Sequence, residues 1–455
     1  MSAGARAENA LKSLRHPCFG GCGAGYARIH LPVAPQCNIK CGYCVRKFSC
    51  ANESRPGVCA QVLEPEAALS RYLDVKRELP KLSTVGIAGP GDALANSAQT
   101  FETLRLIRTA DPDAVFCLST NGLLLPDSVE ELVALGVSHL TVTVNTLDAK
   151  TGRRIYQFVE CGGRRFRGEE AAALLLHNQL EGIRRAASAG LVVKANIVML
   201  KGLNDDEIPA VVAGVKAAGA AVSNIMQLIP VKGSLFENVP LVSKAELDAM
   251  RKRCEAILPQ MYHCRQCRAD AIGTLERDIS RRWTAPAEEA LSAPTTSSAS
   301  EQPCRGSADH KLEASVTGST PGAAPKRFAV ATSNGTLVDE HFGHARAFSI
   351  YEYAEGVARL VERRDVAAFC GGAEDCGGRH DRIAGVVKTI EDCEAVIVLR
   401  IGEAPRYELS RRGIKVFVTY DYVENAVREA GGEAALNLPL DKRSGGTTDN
   451  VTCVQ

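Results

Sequence analysis

Ala27–Cys44 reads ARIHLPVAPQCNIKCGYC, a short β-rich run followed at once by three cysteines. Cys37, Cys41 and Cys44 stand in C-x3-C-x2-C spacing. Three thiolates can hold three irons of a 4Fe-4S cube and leave the fourth iron open to a ligand. Zinc takes four protein ligands, usually as two separated pairs, and three tightly spaced thiols after a first strand fit that poorly. A zinc site or chance clustering is the alternative to set against the cube.

Outward from this stretch, from Ala27 to about Val231, β-rich runs (ARIHLPV, TVGIAG, AVFCLST, HLTVTV, LVVKANIVML, SNIMQLIPV) alternate with helical patterns such as Glu66–Glu78, Ser128–Leu135, Glu169–Ala189 and Glu207–Ala218. Strands alternating with helices predict βαβ units and a parallel sheet. Six such units make an open, partial (βα)6 barrel rather than a closed eight-stranded one. Residues 1–283 are therefore expected to form one domain with extensions at both ends. Residues 284–326 are rich in Ala, Ser, Thr and Pro and carry almost no large apolar side chain. Such a stretch reads as a flexible linker in which Cys304 is a bystander. Residues 327–431 return to strand and helix patterns (RFAVAT, AFSIYEYA, EAVIVL, IKVFVTY, with helices near Arg382–Ile390 and Tyr422–Glu429), which predicts a small α/β domain. Residues 432–455 read as a frayed tail.

At 455 residues the chain is long enough for two or three cores, and a formal charge of +1 provides no global basic field for nucleic acid or a membrane surface. The N-terminus lacks the apolar core of a secretory signal, and the most apolar run, near Leu191–Leu200, is interrupted by Lys194. A soluble, cytoplasmic protein is expected. Seventeen cysteines, an odd number without an export signal, point to thiolates used for metal rather than to disulfides.

The three-cysteine loop, with Tyr43 directly before the last cysteine, resembles the radical S-adenosylmethionine (SAM) superfamily. The resemblance implies that SAM binds the open iron through its amino and carboxylate groups and is split by one electron to a 5′-deoxyadenosyl radical. GPGDAL (Gly89–Leu94) resembles the superfamily's Gly-Gly-Glu-type motif, from which Pro90 and Asp92 depart. Barrel ligands bind at the carboxyl ends of the strands. The candidate SAM contacts are accordingly Gly89, Gly91 and Asp92, then Ser119, Thr120 and Asn121 after the third strand, Asn145 after the fourth and Met199 after the fifth. Taken singly, STNG is also a good plain turn.

His16, Cys18, Cys22, His30, Cys50, Cys59, Cys117, Cys264 and Cys267 remain as further possible ligands, a surplus that suggests additional clusters. HPC (His16–Cys18), the opening stretch, KFSCANESRPG (Lys47–Gly57), FCLSTNG (Phe116–Gly122) and HCRQCRADAIG (His263–Gly273) resemble the NifB family over roughly the first 280 residues. That resemblance implies fusion of two further 4Fe-4S precursor clusters around a carbide taken from a SAM methyl group. The product is the 8Fe-9S-C precursor of the nitrogenase cofactor. By position, His30, Cys50 and Cys117 would hold one precursor and Cys18, Cys264 and Cys267 the other. His30, Cys50 and Cys117, the last placed near the end of its strand, are expected to face one cavity. Cys18 is expected to reach its partners by folding of the N-terminal segment across the barrel mouth. Implied partners are iron–sulfur cluster donors, carrier or scaffold proteins of nitrogenase assembly, and an electron donor such as a ferredoxin or flavodoxin, with no nucleic acid and no membrane.

Alone, Cys117 in an apolar run would more often be a buried hydrophobe. Cys22 and Cys59 have no assignable role, Cys161 and Cys254 sit in ordinary settings, and His16 can simply shape the turn before Pro17. Glu53 and Arg55 follow Cys50; surface loop charges are usually solvated, but in a closed cavity the carboxylate can take protons from a methyl group and the guanidinium can orient sulfide or a SAM carboxylate. Two other readings stay open: a different radical SAM enzyme with auxiliary clusters, and a non-enzymatic iron–sulfur scaffold.

Residues 327–431, through DEHFGHARAF (Asp339–Phe348), resemble the NifX/NafY family of cofactor carriers, which implies a ribonuclease-H-like fold and a part in holding or handing over the product. His341 and His344 are spaced to share a helix face and contact a cluster, and Cys370 and Cys376 in FCGGAEDCGG form a glycine-rich loop that can do the same. A capping or core role for a histidine and a plain turn for the loop are the alternatives.

Overall fold

Near-continuous apolar strands need cover on both faces, and helices between parallel strands supply it. A computed structural model of the chain describes residues 3–19, 25–45, 57–283, 325–333, 335–367 and 379–432. The expected linker from 284 to 324 and the expected tail beyond 432, and the residues Cys22, Cys50, Glu53, Arg55, Cys304, Cys370 and Cys376, lie outside them, whereas residue 326, expected in the linker, already begins the second domain's first strand. The first half runs α1 (Ala3–Arg15), β1 (Ala27–His30), β2 (Ile39–Cys41), α2 (Pro65–Glu78), β3 (Leu82–Ile87), α3 (Ser97–Ala110), β4 (Phe116–Thr120), α4 (Leu125–Ala134) and β5 (Val137–Thr143). It continues through α5 (Ala149–Ile155), β6 (Tyr156–Cys161), β7 (Arg164–Phe166), α6 (Gly168–Ser188), β8 (Val192–Met199), α7 (Ile208–Ala218), β9 (Val222–Gln227), α8 (Lys244–Glu255) and β10 (Ile272–Gly273).

The main sheet has the order β10-β1-β3-β4-β5-β8-β9. All pairings from β1 to β9 are parallel, and β10 adds antiparallel to β1. This is the expected partial (βα)6 barrel. Helices hold their places through ordinary local chemistry: α8 begins with a full capping box between Ser243 and Glu246, and α7 stops at Gly219, whose left-handed φ of 109° suits a residue without Cβ. The segment from Met261 to Gly273 spans the open edge. Met261 N–H donates to the Ser223 carbonyl beside β9, Gln266 Nε2 to the Gln227 carbonyl at 2.7 Å, and the segment ends in β10 against β1.

A second small sheet, β2-β6-β7, pins the cysteine loop: Ile39–Cys41 pairs antiparallel with Tyr156–Val159, Cys41 lying opposite Tyr156. Gly162 and Gly163, with φ of 58° and 73°, make the two-residue turn of the β6–β7 hairpin. Cys161 therefore sits on a strand behind the loop, not in a helix or coil.

The second domain comprises β11 (Lys326–Val330), β12 (Ala347–Ala354), β13 (Val357–Asp365), α9 (Arg379–Thr389), β14 (Ala395–Val398), α10 (Glu403–Arg411), β15 (Lys415–Val418) and α11 (Val423–Gly431). Its sheet order, β13-β12-β11-β14-β15, with the first three strands antiparallel and the last three parallel, is that of a ribonuclease-H-like domain. It touches the barrel through Gln227 Nε2, which donates to the Tyr420 carbonyl at 2.7 Å, Lys244 N–H to Asp421 at 3.0 Å, and a Lys244–Glu429 ion pair. Among the described residues no helix is long and apolar enough to cross a membrane.

Candidate active site

Sheet pairing delivers the three cysteines to the carboxyl end of the barrel. Cys41 is half-buried, and desolvation, followed by the neighbouring thiols of Cys44 and Cys37, pushes it well above the usual thiol range. Tyr43 hydrogen-bonds to it, and Asn145 Nδ2 donates to Tyr43 Oη at 2.9 Å. On the far side, Asn121 Nδ2 donates to Asn38 Oδ1 at 2.7 Å and lies 3.7 Å from Cys37 Sγ. Three half-buried thiols in one loop, where desolvation disfavours a lone Cys41 thiolate and polar N–H and O–H neighbours are at hand, fit a metal cube that provides the missing positive charge. Among the described residues no three His, Cys, Asp or Glu side chains are placed to hold a single metal ion.

The expected SAM contacts divide. Ser119 lines the central cavity, as does Ala88 just before Gly89. Asp92 is engaged elsewhere, and its two oxygens accept from Leu94 and Ala95 N–H, from Thr120 Oγ1 at 3.1 Å and from Asn121 N–H at 2.6 Å. Asp92 and Thr120 thus lock the β3–α3 loop to the end of β4, and both side chains are spent internally. Gly91 packs so tightly that a Cβ there would stand 1.9 Å from the Gln36 carbonyl oxygen; its missing side chain serves backbone contact with the cysteine loop. Asn145 is fully buried, bonded to Tyr43, Tyr156 and Val198 N–H. Met199 belongs to the hydrophobic core. Gly89 takes a φ of 127° and, with Asn121, borders the loop rather than the cavity wall.

A cavity of about 310 Å³ runs through the half-barrel. Tyr43 and Cys44 face one part of it, and Cys18, His30, Cys117, Cys264 and Cys267 face the rest. His30 Nδ1 lies 3.0 Å from the Arg268 carbonyl, which can only accept, so that nitrogen carries the proton and Nε2 is left as an acceptor. Burial, then the Arg28 charge, lowers His30 to about 4, which keeps the imidazole neutral, as metal ligation requires. Cys18 feels Cys267 and Cys264 as near charges, so the second expected trio comes together. Arg28 Nη2 donates to Cys267 Sγ at 2.9 Å.

The path by which Cys18 arrives differs from the expected one. α1 crosses the amino ends of the strands, opposite to the mouth. Asn9 Nδ2 donates to the Gly190 carbonyl at 3.0 Å, Ser13 Oγ meets His139 Nε2 at 2.9 Å, Ser83 Oγ donates to the Arg15 carbonyl at 2.8 Å and His263 Nε2 to the Pro17 carbonyl at 3.0 Å. The segment plugs the barrel from below, and His16–Cys18 enters its interior there. Cys117 likewise sits second in β4, near its start rather than its end, and within charge range of Cys18.

Sequence reasoning weighed His16 but passed over His139 and the cations of this floor. Lys194 on β8 is only 5% exposed, with Nζ 4.8 Å from the Phe19 ring centroid and 3.9 Å from Met261 Sδ. Arg28 is 3% exposed. The legible signal was a lysine inside the otherwise apolar LVVKANIVML. An uncompensated buried ion costs several kcal/mol, so such a residue asks for an anionic neighbour.

Burial lowers His139 to about 3 and holds His16 well below its ordinary value of 6.5. Both are neutral in the folded chain and take up protons only when it unfolds, so the unfolded state binds more protons below pH 6.5. Stability is therefore expected to fall as pH drops through 6.5 towards 3 and to be indifferent to these groups above about pH 7.5. Urea unfolding followed by circular dichroism at about pH 7.5 and about pH 5.5 checks this, and His139→Gln should shrink the loss. An equal loss in the variant would remove His139 from the account.

In the second domain, His341 and His344 lie on a turn, His344 N–H donating to the His341 carbonyl at 2.9 Å, rather than on a helix face. Their rings are nonetheless 4.9 Å apart. Burial lowers Arg400, against the pull of the nearby Cys267 and Cys264 thiols, and their nearness brings this domain to the edge of the second trio. Cys59 and Cys254 are buried and do not line the cavity.

Residues 31–213 match the Radical SAM superfamily and residues 325–432 the Dinitrogenase iron-molybdenum cofactor family. The FeMo cofactor biosynthesis protein NifB of Klebsiella pneumoniae is 44% identical over 416 residues, covering 89% of this chain and 87% of that one. The chain belongs to the NifB family. The NifB proteins of Frankia alni, 39% identical over 93% of this chain and 88% of that one, and of Azotobacter vinelandii, 38% identical over 89% and 84%, are similar to it as well. Among solved structures, Streptococcus suis SuiB bound to S-adenosylmethionine is similar over 57% of this chain and 65% of that chain, at 14% identity and a TM-score of 0.40. A radical SAM domain in a NifB-family chain implies a resident 4Fe-4S cluster with SAM as its co-substrate.

Proposed function

We propose that this chain fuses two 4Fe-4S units and one added sulfide, with insertion of a carbide derived from a SAM methyl group, into the 8Fe-9S-C precursor of the nitrogenase cofactor. The observation that carries the reading is the single cavity that joins the cysteine-loop residues Tyr43 and Cys44 to Cys18, His30, Cys117, Cys264 and Cys267. With its cluster and SAM bound, the loop supplies a 5′-deoxyadenosyl radical at the Tyr43 end. Cys18, Cys264 and Cys267 seat one precursor; His30 and Cys117, with Cys50, seat the other. A neutral imidazole among thiolates is the more exchangeable ligand, which suits a product that must leave.

One SAM would pass its methyl to a sulfide of a seated precursor and leave as S-adenosylhomocysteine, and the radical from a second SAM, cleaved to methionine, would take a hydrogen atom from that methyl and leave as 5′-deoxyadenosine. Glu53 takes up protons released as the methyl is stripped, and Arg55 orients sulfide or the SAM carboxylate. The second domain, with Arg400 beside the Cys264–Cys267 edge, holds or hands over the product to carrier proteins of nitrogenase assembly. A ferredoxin or flavodoxin supplies the electron.

Anaerobic reconstitution with methyl-labelled SAM tests the assignment. Label is expected in an extractable iron–sulfur product. Label confined to methylthio compounds or to peptide overturns carbide insertion and favours a peptide-modifying radical enzyme; binding of iron without any SAM cleavage favours a scaffold.

A further inference from the structure

The cavity floor holds two buried cations with different surroundings. Arg28 is committed: its guanidinium donates to the Gly273 and Thr274 carbonyls and to Cys267 Sγ, so it belongs to one precursor seat. Lys194 is not. Among the described residues its Nζ meets no carboxylate and no carbonyl, only the face of Phe19 and the sulfur of Met261. β8 places it in register between Thr141 of β5 and Val222 of β9, and it lines the cavity together with Cys18 and Cys117. Those two cysteines belong to different seats. The neighbouring His16 accepts the Cys18 backbone N–H through Nδ1, so its Nε2 is a donor, and that atom is buried with no partner among the described residues.

We propose that Lys194 is the positioning residue that allows two anionic iron–sulfur units to sit side by side, its ammonium standing where the Cys18–Cys264–Cys267 seat adjoins Cys117. This rests on the two-precursor reading above. Thiolate-held clusters repel each other, and the repulsion grows as water is excluded, since Coulomb energy scales inversely with the local dielectric. A cation placed between them offsets it. One ring face and one thioether do not replace the hydration of an ammonium, whereas cluster sulfides do, and the unpartnered His16 Nε2–H points to the same acceptors. Lysine suits the place better than arginine: a point charge on a flexible stem can follow sulfurs that move as two units become one.

Full-length chain is reconstituted anaerobically with iron and sulfide as wild type, Lys194→Met, Lys194→Gln and Lys194→Arg, and iron per chain is counted alongside Mössbauer spectra. The wild type should reach about twelve irons, three cubes of four, and the Met and Gln variants should stop at about eight. Arg should restore most of the loss, because charge and not shape is at issue. The SAM-induced change in the electron paramagnetic resonance spectrum of the resident cluster gauges folding in each sample. Uncharged variants that load like wild type overturn the proposal, as does an Arg variant that keeps the SAM response but loads no better than Met. A wild type that stops at about four irons instead removes the two-precursor reading itself.

Discussion

Cys41→Ala is expected to end reductive SAM cleavage, with deoxyadenosine formation falling by at least about a hundredfold, since even a partner one shell away from a metal ligand commonly costs that much. Cys41 is the centre of its loop: β2 pairing sets it opposite Tyr156, Tyr43 bonds to it, and Cys44 and Cys37 flank it. Removing it would leave two thiols where three are proposed to hold a cube with one open corner. Those two cannot keep both the cluster and the vacancy at which SAM binds. The same variant should lose about a third of the iron of the fully loaded chain, one cube in three, so product analysis and iron counting must fall together. Retained SAM cleavage, or loss of all iron, would show that the cluster and the precursor seats are not separate ligand sets.

Asp92→Ala should lower the free energy of unfolding by roughly 3–5 kcal/mol, the cost of breaking a buried charged network. The carboxylate is 4% exposed. Desolvation raises its pKa, and the donors at Asn121, Ala95, Thr120 and Leu94 pull it back only in part. Alanine strands three backbone N–H groups, each costing about 1–3 kcal/mol when left unmade, although the Thr120 hydroxyl can turn elsewhere. Asp92→Asn keeps one acceptor oxygen and should lose less. Denaturant unfolding of the three proteins at one metal loading checks this. Unchanged stability with a raised KM for SAM would restore Asp92 to the SAM contacts expected from its motif.

The strand runs and the C-x3-C-x2-C loop were legible because each rests on local pattern: apolar residues with β character, or a fixed count between thiols. Some elements escaped for equally local reasons. β13 carries VARLVERRD with most side chains exposed, so it presents no apolar run and is held by pairing with β12. The β6–β7 hairpin was signalled by Gly162–Gly163 between YQFVEC and RRF, yet its importance lies in pairing with β2, which is not written next to it. Asp92, Thr120, Asn121 and Asn145 stand at strand ends as expected, but strand ends contain both ligand contacts and the bonds that hold loops in place. Only the donors around a given side chain tell which it is.

By itself the sequence determined that three thiols in one loop follow the first strand, that six strand–helix units succeed one another, and that a second α/β domain lies beyond a polar stretch. Spacing along the chain is enough for each of these. Tertiary structure alone decided that α1 closes the amino ends of the strands, bringing Cys18 up from the floor, and that Cys264 and Cys267 meet it from the segment spanning the open edge. It also decided that Lys194 stands beside Cys117 with no counter-ion among the described residues. Cysteines separated by more than two hundred residues share one cavity only because the curved sheet brings their segments together, and no local pattern encodes which face of that curve a side chain will meet.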